Sequence, residues 1–258
     1  MTEYAYAKIN LFLSVGKKRA DGYHNIDTVM HTVSLCDEVI IEKAPALRVF
    51  CDMDVPEKDN LAYKAATAFY NYTGITPSAE ITVKKHIPSQ AGLGGGSADA
   101  AAVLRGLNKM YGAGLSTATL ASLGTPLGAD VPFCVYGGKA RCKGIGEKIT
   151  VLEKELLHLV IIKPNANCPT GKMYGELDKI NREIPEYEEC VYFNSFDGVC
   201  PQECKDAMAF LSASGASVSM LSGSGSAVFG VFDTESAARN AAEKAKSVYP
   251  FAVYAHTI

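Results

Sequence analysis

The strongest constraint on this chain is a glycine-rich run between a predicted strand and a predicted helix. Its residues are Pro88, Ser89, Gln90, Ala91, Gly92, Leu93, Gly94, Gly95, Gly96, Ser97 and Ala98. Because glycine has no Cβ, such a run lets a ligand approach the backbone closely and tolerates positive φ angles. The following helix presents free N–H groups and the positive end of its dipole, which together suit a phosphate group.

Two common phosphate-binding motifs do not match this run. A Walker loop would end in Gly-Lys-Ser/Thr, and the Rossmann fingerprint has a different glycine spacing and a downstream acid. A glycine-rich turn that binds nothing is the alternative interpretation. Ser97 stands at the start of the helix, where its hydroxyl either caps the helix or contacts phosphate or a bound magnesium ion.

Hydrophobic periodicity surrounds this run with strands and helices in an α+β order. Strands are predicted over residues 4–15, 26–41, 79–85, 133–136, 146–151, 157–163, 217–221, 227–232 and 251–256. Helices are predicted over residues 61–72, 97–111, 116–123, 171–180, 204–212 and 234–247. The first two strands should form a long hairpin, since residues 17–22 between them carry turn chemistry.

A domain boundary is predicted between residues 154 and 155. At roughly 150 residues per domain, a chain of 258 residues has room for two domains that each bury a core. The N-terminal domain, residues 1–154, would hold the glycine-rich run. The C-terminal domain, residues 155–258, has the element order of a two-layer α+β domain.

The charge balance argues against a nucleic-acid binder that works through bulk positive charge. The chain has 25 Lys and Arg against 28 Asp and Glu, a net charge of −3, whereas phosphate backbones attract basic proteins. No apolar run reaches the roughly 18 residues of a membrane helix, and Glu3 and Lys8 interrupt the first apolar stretch, unlike a signal peptide. We therefore expect a cytoplasmic protein with no membrane partner, whose eight scattered cysteines are free thiols.

An aspartate stands in a second short motif, Gly128-Ala129-Asp130-Val131-Pro132. The small residues and the proline hold this aspartate on a rigid turn. An Asx-type turn is the commoner use of aspartate in such a place. The alternative is a general base that orients and deprotonates a hydroxyl nucleophile.

Three further places in the sequence contain unusual residue types for their surroundings. Residues 221–227 place three serines and two glycines between two predicted strands, which forms either a loop near a ligand or a plain hairpin turn. Lys8 lies on an apolar strand, where it either extends to solvent at an edge or carries its charge into a site. His24 beside Tyr23 fits a surface pair, a packed aromatic step or base recognition, and the residues alone leave these alternatives open.

Taken in order, these segments resemble the GHMP kinases, a family that includes galactose, homoserine and mevalonate kinases. The resemblance rests on Ala-Lys-Ile-Asn-Leu at residues 7–11, Arg-Ala-Asp-Gly-Tyr-His at 19–24, the glycine-rich run, Leu-Gly-Ala-Asp-Val-Pro-Phe at 127–133 and the serine–glycine loop. It covers essentially the whole chain. It implies the two-domain GHMP kinase fold, of class α+β, with an N-terminal mixed β/α domain and a C-terminal ferredoxin-like α/β sandwich.

The resemblance also implies a reaction and its participants. Within the family, the string at residues 19–24 is similar to that of the member that acts on a cytidine diphosphate-linked methylerythritol. The expected reaction transfers the γ-phosphoryl group of ATP, with Mg²⁺, to the 2-hydroxyl of that small-molecule substrate, in non-mevalonate isoprenoid precursor biosynthesis. The glycine-rich run would then bind ATP, although the metal ligands stay unassigned.

Residue roles follow from the same resemblance. Lys8 and Asp130 match the catalytic pair: Asp130 would accept the hydroxyl proton, and Lys8 would keep Asp130 ionised and stabilise charge during transfer. The matching substrate-binding residues are Asn10, Tyr23, His24, Thr170 and Tyr174. Of these, His24 would contact the cytosine edge, while the two tyrosines would stack on its two faces.

Several alternatives stay open at this point. The chain could be another kinase of the same family, of homoserine or mevalonate type, and the Tyr23–His24 pair favours the cytidyl substrate over both. It could be an inactive nucleotide-binding module, against which both Lys8 and Asp130 argue. An RNA-binding protein is disfavoured by the net charge of −3. A monomer or weak homodimer is expected.

Overall fold

The computed structural model describes residues 1–52, 55–182 and 184–258. The strands are β1 (Thr2–Lys18), β2 (His24–Lys43), β3 (Arg48–Cys51), β4 (Ala79–Lys84), β5 (Lys139–Gly144), β6 (Lys148–Leu152), β7 (His158–Lys163), β8 (Phe193–Asn194), β9 (Val218–Leu221), β10 (Val228–Phe232) and β11 (Phe251–His256). The helices are α1 (Leu61–Thr73), α2 (Gly95–Tyr111), α3 (Thr117–Gly124), α4 (Val131–Tyr136), α5 (Thr170–Leu177), α6 (Gln202–Ala213) and α7 (Glu235–Lys246). Among the described residues, no helix has both the length and the apolar character that crossing a membrane requires.

The chain divides into two compact units that each contain several chain segments. The first unit comprises Met1–Ala7, Leu35–Ile87 and Gly94–Gly137. The second unit comprises Lys8–Ser34, Pro88–Leu93 and Gly138–Ile258. The boundary predicted between residues 154 and 155 lies inside the last of these segments, and it stays a prediction.

Helices of the first unit cover a small sheet. In this sheet β4 pairs parallel with β3 and antiparallel with the C-terminal part of β2. The alanine-rich face of α2 packs into a core with α1, β2 and β4; its contributors include Ala98, Ala100, Ala101 and Ala102. Asn60 caps α1, since its side chain accepts a hydrogen bond from Ala62 N.

The predicted hairpin is confirmed at the start of the chain. β1 and β2 are neighbouring strands, and the turn between them is closed by hydrogen bonds from Arg19 N to Tyr23 O and from Gly22 N to Arg19 O. In the second unit the N-terminal part of β2 also pairs with β5, which pairs in turn with β6.

A second sheet confirms the ferredoxin-like prediction for the C-terminal part. Its strand order is β11-β7-β10-β9, and every pair is antiparallel. Because α6 lies between β7 and β9 in the chain and α7 lies between β10 and β11, the order is βαββαβ. Both helices place small and apolar side chains against the strands; among them are Cys204, Ala207, Leu211, Ala238, Ala241 and Ala242.

One predicted strand is wrong, and three strands of the structure were missed. Residues 133–136 belong to α4, not to a strand. A short apolar run does not distinguish a buried strand from a buried helix. Pro132 lies in the first turn of α4, where the fixed φ of proline favours a helix. The missed strands are β3, β5 and β8. β3 has only four residues and β8 only two, and the alternate buried residues of β5, Ala140 and Cys142, are small and stand among charged ones.

Candidate active site

Two of the sequence motifs interlock through their backbones in the second unit. Gly92 has a φ of 73°, and a Cβ there would lie 2.0 Å from Ser222 O. Ser222 Oγ donates a hydrogen bond to Gly92 O over 3.0 Å, and Ala227 N donates to Ala91 O over 3.0 Å. We call residues 91–93 and 222–226 the interlocked loops. Their close approach requires glycine at position 92, and a plain hairpin turn would not make these contacts.

Lys8 joins both loops from β1. Its N–H donates to Leu93 O over 2.9 Å, and a Cβ on Gly223 would lie 3.4 Å from Lys8 Nζ. The Lys8 ammonium donates to Asn10 Oδ1 over 2.8 Å, and Asn10 Nδ2 donates to Thr28 Oγ1. Lys8 is only 4% exposed, so its charge points into the protein interior and does not extend to solvent at an edge.

Three side chains hold the serine–glycine loop in place. Asn194 Nδ2 donates to Leu221 O over 3.0 Å and to Gly223 O over 2.9 Å. Asp197 Oδ1 accepts a hydrogen bond from Leu221 N over 3.0 Å, and burial raises the pKa of Asp197 to about 7. The predicted substrate residue Thr170, at the start of α5, lies 3.2 Å from Ser224 through the two hydroxyl oxygens.

The second half of the glycine-rich run begins a helix in the first unit. α2 starts at Gly95 after Gly94, which has a φ of 71° and no side chain to cap the first N–H groups. A Cβ on Gly128 would lie 3.7 Å from Ser97 Oγ, so the helix start contacts the turn that leads to Asp130. Asp130 itself is the residue directly before α4, and α4 packs on α2.

The remaining residues of the run differ in exposure. Ala91 and Leu93 are buried, whereas Ser89 and Gln90 are exposed in a turn that follows Pro88. Gln90 has a φ of 51°, which is uncommon for a residue with a Cβ. Gly96 is exposed in the first turn of α2, and Ala98 is buried.

Aromatic and carboxylate side chains form a third arrangement, again in the second unit. The His24 and Tyr174 rings lie 4.9 Å apart between centroids, and His24 Nε2 lies 2.8 Å from Asp178 Oδ1. We call His24, Tyr174 and Asp178 the ring cluster. The structure therefore brings together two predicted substrate residues that are far apart in the sequence. Tyr23 lies beside them in the chain with its side chain 62% exposed.

Asp178 fixes the hydrogen-bonding pattern of the His24 ring. The hydrogen bond from His24 lowers the pKa of Asp178, so this carboxylate is ionised and accepts. In a neutral imidazole the proton then lies on Nε2, and Nδ1 is left as an acceptor. An acceptor at that position suits the exocyclic amine of cytosine, which donates.

Sequence reasoning missed the residues that support these groups. Asp178, Asn194 and Asp197 are ordinary polar residues, and they act through contacts with other segments of the chain. Asp178 follows Tyr174 by one helical turn, which is the one sequence feature that links it to a predicted site residue.

The start of α2 fits a phosphate group of a nucleoside triphosphate, because a helix start without a side-chain cap offers backbone N–H groups to an anion. Among the described residues, no cluster of three or more His, Cys, Asp or Glu could hold a metal ion.

Comparisons with known proteins agree with this architecture. A family model described as GHMP kinases N terminal domain matches residues 60–138, and one described as GHMP kinases C terminal matches residues 168–250. A relative from Caldicellulosiruptor saccharolyticus, named 4-diphosphocytidyl-2-C-methyl-D-erythritol kinase, is 39% identical over 270 residues, which cover 94% of this chain and 91% of the relative.

Solved structures extend the comparison. A crystal structure of a 4-(cytidine 5'-diphospho)-2C-methyl-D-erythritol kinase has a TM-score of 0.87 and 33% identity, covering 100% of this chain and 99% of that one. A crystal structure of a mevalonate kinase has a TM-score of 0.75 with 13% identity, covering 100% of this chain and 99% of that one. The second likeness concerns the fold alone.

Proposed function

The chain belongs to the GHMP kinases, and we propose that it phosphorylates the 2-hydroxyl of 4-diphosphocytidyl-2-C-methyl-D-erythritol with ATP. The observation that carries this proposal is similarity to kinases of that name over nearly the full chain, at 39% identity to one relative and a TM-score of 0.87 to one structure. The ring cluster supports the same substrate, because a nucleobase needs both a stacking surface and edge recognition, whereas a small polyol or amino acid needs neither.

The transfer step is assigned to Asp130 and Lys8. Asp130 accepts the proton of the 2-hydroxyl as the hydroxyl oxygen bonds to the γ-phosphorus, and the bond from that phosphorus to the ADP oxygen breaks. Lys8 stabilises the negative charge that spreads over the transferring group. Its burial supports this role, because a cation that is shielded from water interacts more strongly with a developing charge.

Binding of ATP is assigned to backbone groups of the glycine-rich run. The N–H groups at the start of α2 donate hydrogen bonds to the phosphate oxygens, with the Ser97 hydroxyl beside them. Mg²⁺ bound with ATP would neutralise phosphate charge, and it is typically held by phosphate oxygens, waters and one or two protein oxygens. Asn10 and Thr170 would contact the substrate near Lys8 and near the serine–glycine loop.

Recognition of the cytosine is assigned to the ring cluster and Tyr23. His24 Nδ1 accepts from the exocyclic amine of the base, and Asp178 keeps His24 in the tautomer that does so. Tyr174 and Tyr23 stack on the two faces of the base. The exposed ring of Tyr23 supports this assignment, because a stacking residue must be free to cover a ligand.

A substrate panel tests the proposal. The purified protein is incubated with radiolabelled ATP and Mg²⁺ together with the cytidyl alcohol, mevalonate or homoserine, and label transfer is measured. We expect the kcat/KM for the cytidyl alcohol to exceed that for mevalonate or homoserine at least about a hundredfold. A site whose polar groups hydrogen-bond a substrate strongly rejects molecules that lack the bonded group. Phosphorylation of mevalonate or homoserine in preference to the cytidyl alcohol would overturn the proposal.

Two further assignments complete the proposal. The protein acts in the cytoplasm on small molecules. It has no nucleic acid partner, and the net charge of −3 supports this last assignment. It acts as a monomer or weak homodimer, a state that sedimentation of the purified protein would test.

A further inference from the structure

A buried cluster of one lysine and two aspartates lies in the first unit. Lys85 Nζ donates hydrogen bonds to Asp37 Oδ2 and, over 2.6 Å, to Asp99 Oδ2. The Asp37 side chain is 0% exposed, and the side chains of Asp99 and Lys85 are 7% and 10% exposed. Charges buried to this extent are costly unless they are paired, so the three groups depend on one another.

The cluster connects the strand that enters the glycine-rich run with the helix that leaves it. Lys85 directly follows β4, and Asp99 lies in the second turn of α2. Asp37 Oδ1 also accepts hydrogen bonds from the backbone N–H groups of His86 and Ile87, the latter over 2.8 Å. Ile87 is the residue immediately before Pro88. Asp37 therefore fixes the backbone at the entrance to the run, while Lys85 connects that entrance to α2.

The first residue of α2 packs directly on this connection. A Cβ on Gly95 would lie 3.3 Å from Lys85 Nζ and 3.1 Å from Ile87 Cγ2. The helix start that offers its N–H groups to phosphate thus rests on the lysine ammonium and on the entrance residue. A displacement of Lys85 would therefore shift the helix start relative to the strand end.

The charges of the cluster also matter for an anion bound above it. Burial and the neighbouring Asp37 raise the pKa of Asp99, and the Lys85 ammonium partly offsets this rise. Asp99 Oδ1 is buried without a hydrogen-bond partner among the described residues. Without the ammonium, Asp37 and Asp99 would lie beneath the phosphate-binding helix start with no cation paired to them, and the negative charge that they carry would oppose binding of ATP.

We propose that Lys85, Asp37 and Asp99 are positioning residues for ATP: their hydrogen bonds set the spacing between Ile87 and the start of α2, and the Lys85 ammonium offsets the negative charge of the acidic groups there. The proposal rests on the proposed function, because it takes ATP as the anion. It does not require any of the three side chains to touch ATP. The lysine acts as a connection within the protein, in contrast to a lysine that contacts phosphate itself.

The test compares Lys85→Met with Lys84→Met. Methionine keeps most of the lysine volume and removes the charge. Lys84 is the adjacent residue on β4, where it is exposed and 3.6 Å from Glu38, so its replacement controls for loss of a surface lysine. Titration calorimetry with a non-hydrolysable ATP analogue and Mg²⁺ gives Kd, and steady-state kinetics give KM for ATP, KM for the cytidyl alcohol and kcat.

We expect Lys85→Met to raise the Kd of the analogue and the KM for ATP at least about tenfold, the scale of a lost charge-assisted hydrogen bond. The KM for the cytidyl alcohol should change less than twofold, and Lys84→Met should match wild type in every parameter. A merely structural role would lower the folded fraction, and with it kcat, while leaving Kd and both KM values unchanged. That outcome overturns the proposal.

A second pair of variants keeps the test decisive if Lys85→Met does not fold. Asp99→Asn retains an oxygen acceptor for Lys85, whereas Asp99→Leu does not. The leucine variant should raise the analogue Kd several-fold more than the asparagine variant, and equal values for the two overturn the proposal. A wild-type protein that neither binds the analogue nor phosphorylates the cytidyl alcohol would refute the proposed function. An active wild type with an unchanged Kd in Lys85→Met would refute the positioning role alone.

Discussion

The interlocked loops and the ring cluster lie in the same unit but are built from different kinds of contact. In the interlocked loops, backbone atoms make the contacts apart from the Ser222 hydroxyl, and the residues are mostly glycine, alanine and serine. In the ring cluster the contacts are made by side chains: two rings 4.9 Å apart and a carboxylate 2.8 Å from one of them. Backbone recognition suits phosphate, which every nucleotide carries, while ring recognition distinguishes one base from another.

This difference predicts different tolerance to mutation. A loop whose backbone touches another backbone has no side chain that can move aside, so an added methyl group must displace the main chain. A ring cluster loses affinity in proportion to the surface and hydrogen bonds removed, and it accepts a replacement that preserves the ring. Each prediction below tests one side of this contrast, from the largest expected effect to the smallest.

Gly92→Ala should have the largest effect. Its Cβ would lie 2.0 Å from Ser222 O, at a φ of 73°. Misplacement of a site by about 1 Å costs on the order of a hundredfold in rate, and we expect kcat/KM to fall by at least that factor. The measurement is steady-state kinetics with ATP and the cytidyl alcohol.

The matched control is Gly112→Ala. Gly112 also has a positive φ, 59°, but no atom lies within 4 Å of its hypothetical Cβ among the described residues. The control should lose roughly 1 kcal/mol of stability from left-handed strain and retain wild-type kinetics. Equal activity losses in the two variants would show that strain, and not the contact with Ser222, explains the effect.

Asp197→Asn should change how stability depends on pH. The pKa of Asp197 is raised to about 7 from the ordinary 3.8, so the folded protein binds this proton more tightly than the unfolded chain. The resulting stabilisation is complete below about pH 4 and is lost as the pH rises through 7. Between pH 4 and pH 8 the free energy of unfolding of wild type should therefore fall by about 2 kcal/mol more than that of the variant. This value is smaller than the full pKa shift would give.

Urea unfolding at several pH values measures this difference. Asparagine keeps an oxygen acceptor for Leu221 N, so the hydrogen bond that holds the serine–glycine loop survives in the variant. Asp233→Asn, at an exposed carboxyl, serves as the control and should follow wild type at every pH. Parallel stability curves for wild type and Asp197→Asn would contradict the prediction.

Tyr174→Ala should raise the KM for the cytidyl alcohol about tenfold, since stacking of a base on an aromatic ring contributes roughly 1–3 kcal/mol. Tyr174→Phe preserves the ring and should stay within about twofold of wild type, on the same reasoning. The KM for ATP should be unchanged in both variants. An alanine variant with a wild-type KM would remove Tyr174 from the base site.

Asp178→Ala should have the smallest effect, about a threefold higher KM for the cytidyl alcohol, the scale of one modest hydrogen bond. Because Asp178 sets the His24 tautomer, the variant should also bind CDP and UDP with more similar affinities than wild type does. Competition between the two nucleotides against the substrate measures this. Unchanged discrimination between them would show that Asp178 does not act through His24.

The sequence predicted the interlocked loops better than the ring cluster for a physical reason. Glycine, serine and a lysine in an apolar strand are unusual in their surroundings, so their roles are visible one residue at a time. The family resemblance supplied His24 and Tyr174, which the structure brings together. Asp178, Asn194 and the Lys85 cluster were not predicted, because ordinary polar residues acquire these roles only through contacts that depend on the tertiary structure.

The fold shows the same pattern. The hairpin, the helix after the glycine-rich run and the βαββαβ order were predicted from periodicity and turn residues. The wrong assignment fell on α4, whose short apolar run fits either a strand or a helix and whose first-turn proline was not weighed. Local patterns thus determined the long elements, while the shortest ones depended on packing.

The most direct test of the account concerns the transfer step itself. Asp130→Ala and Lys8→Met are compared with wild type for kcat and for the Kd of a non-hydrolysable ATP analogue. We predict that kcat falls about a hundredfold or more in each variant, while the Kd stays within about threefold, because backbone groups bind the phosphates. Turnover at the wild-type rate in Asp130→Ala would contradict the account.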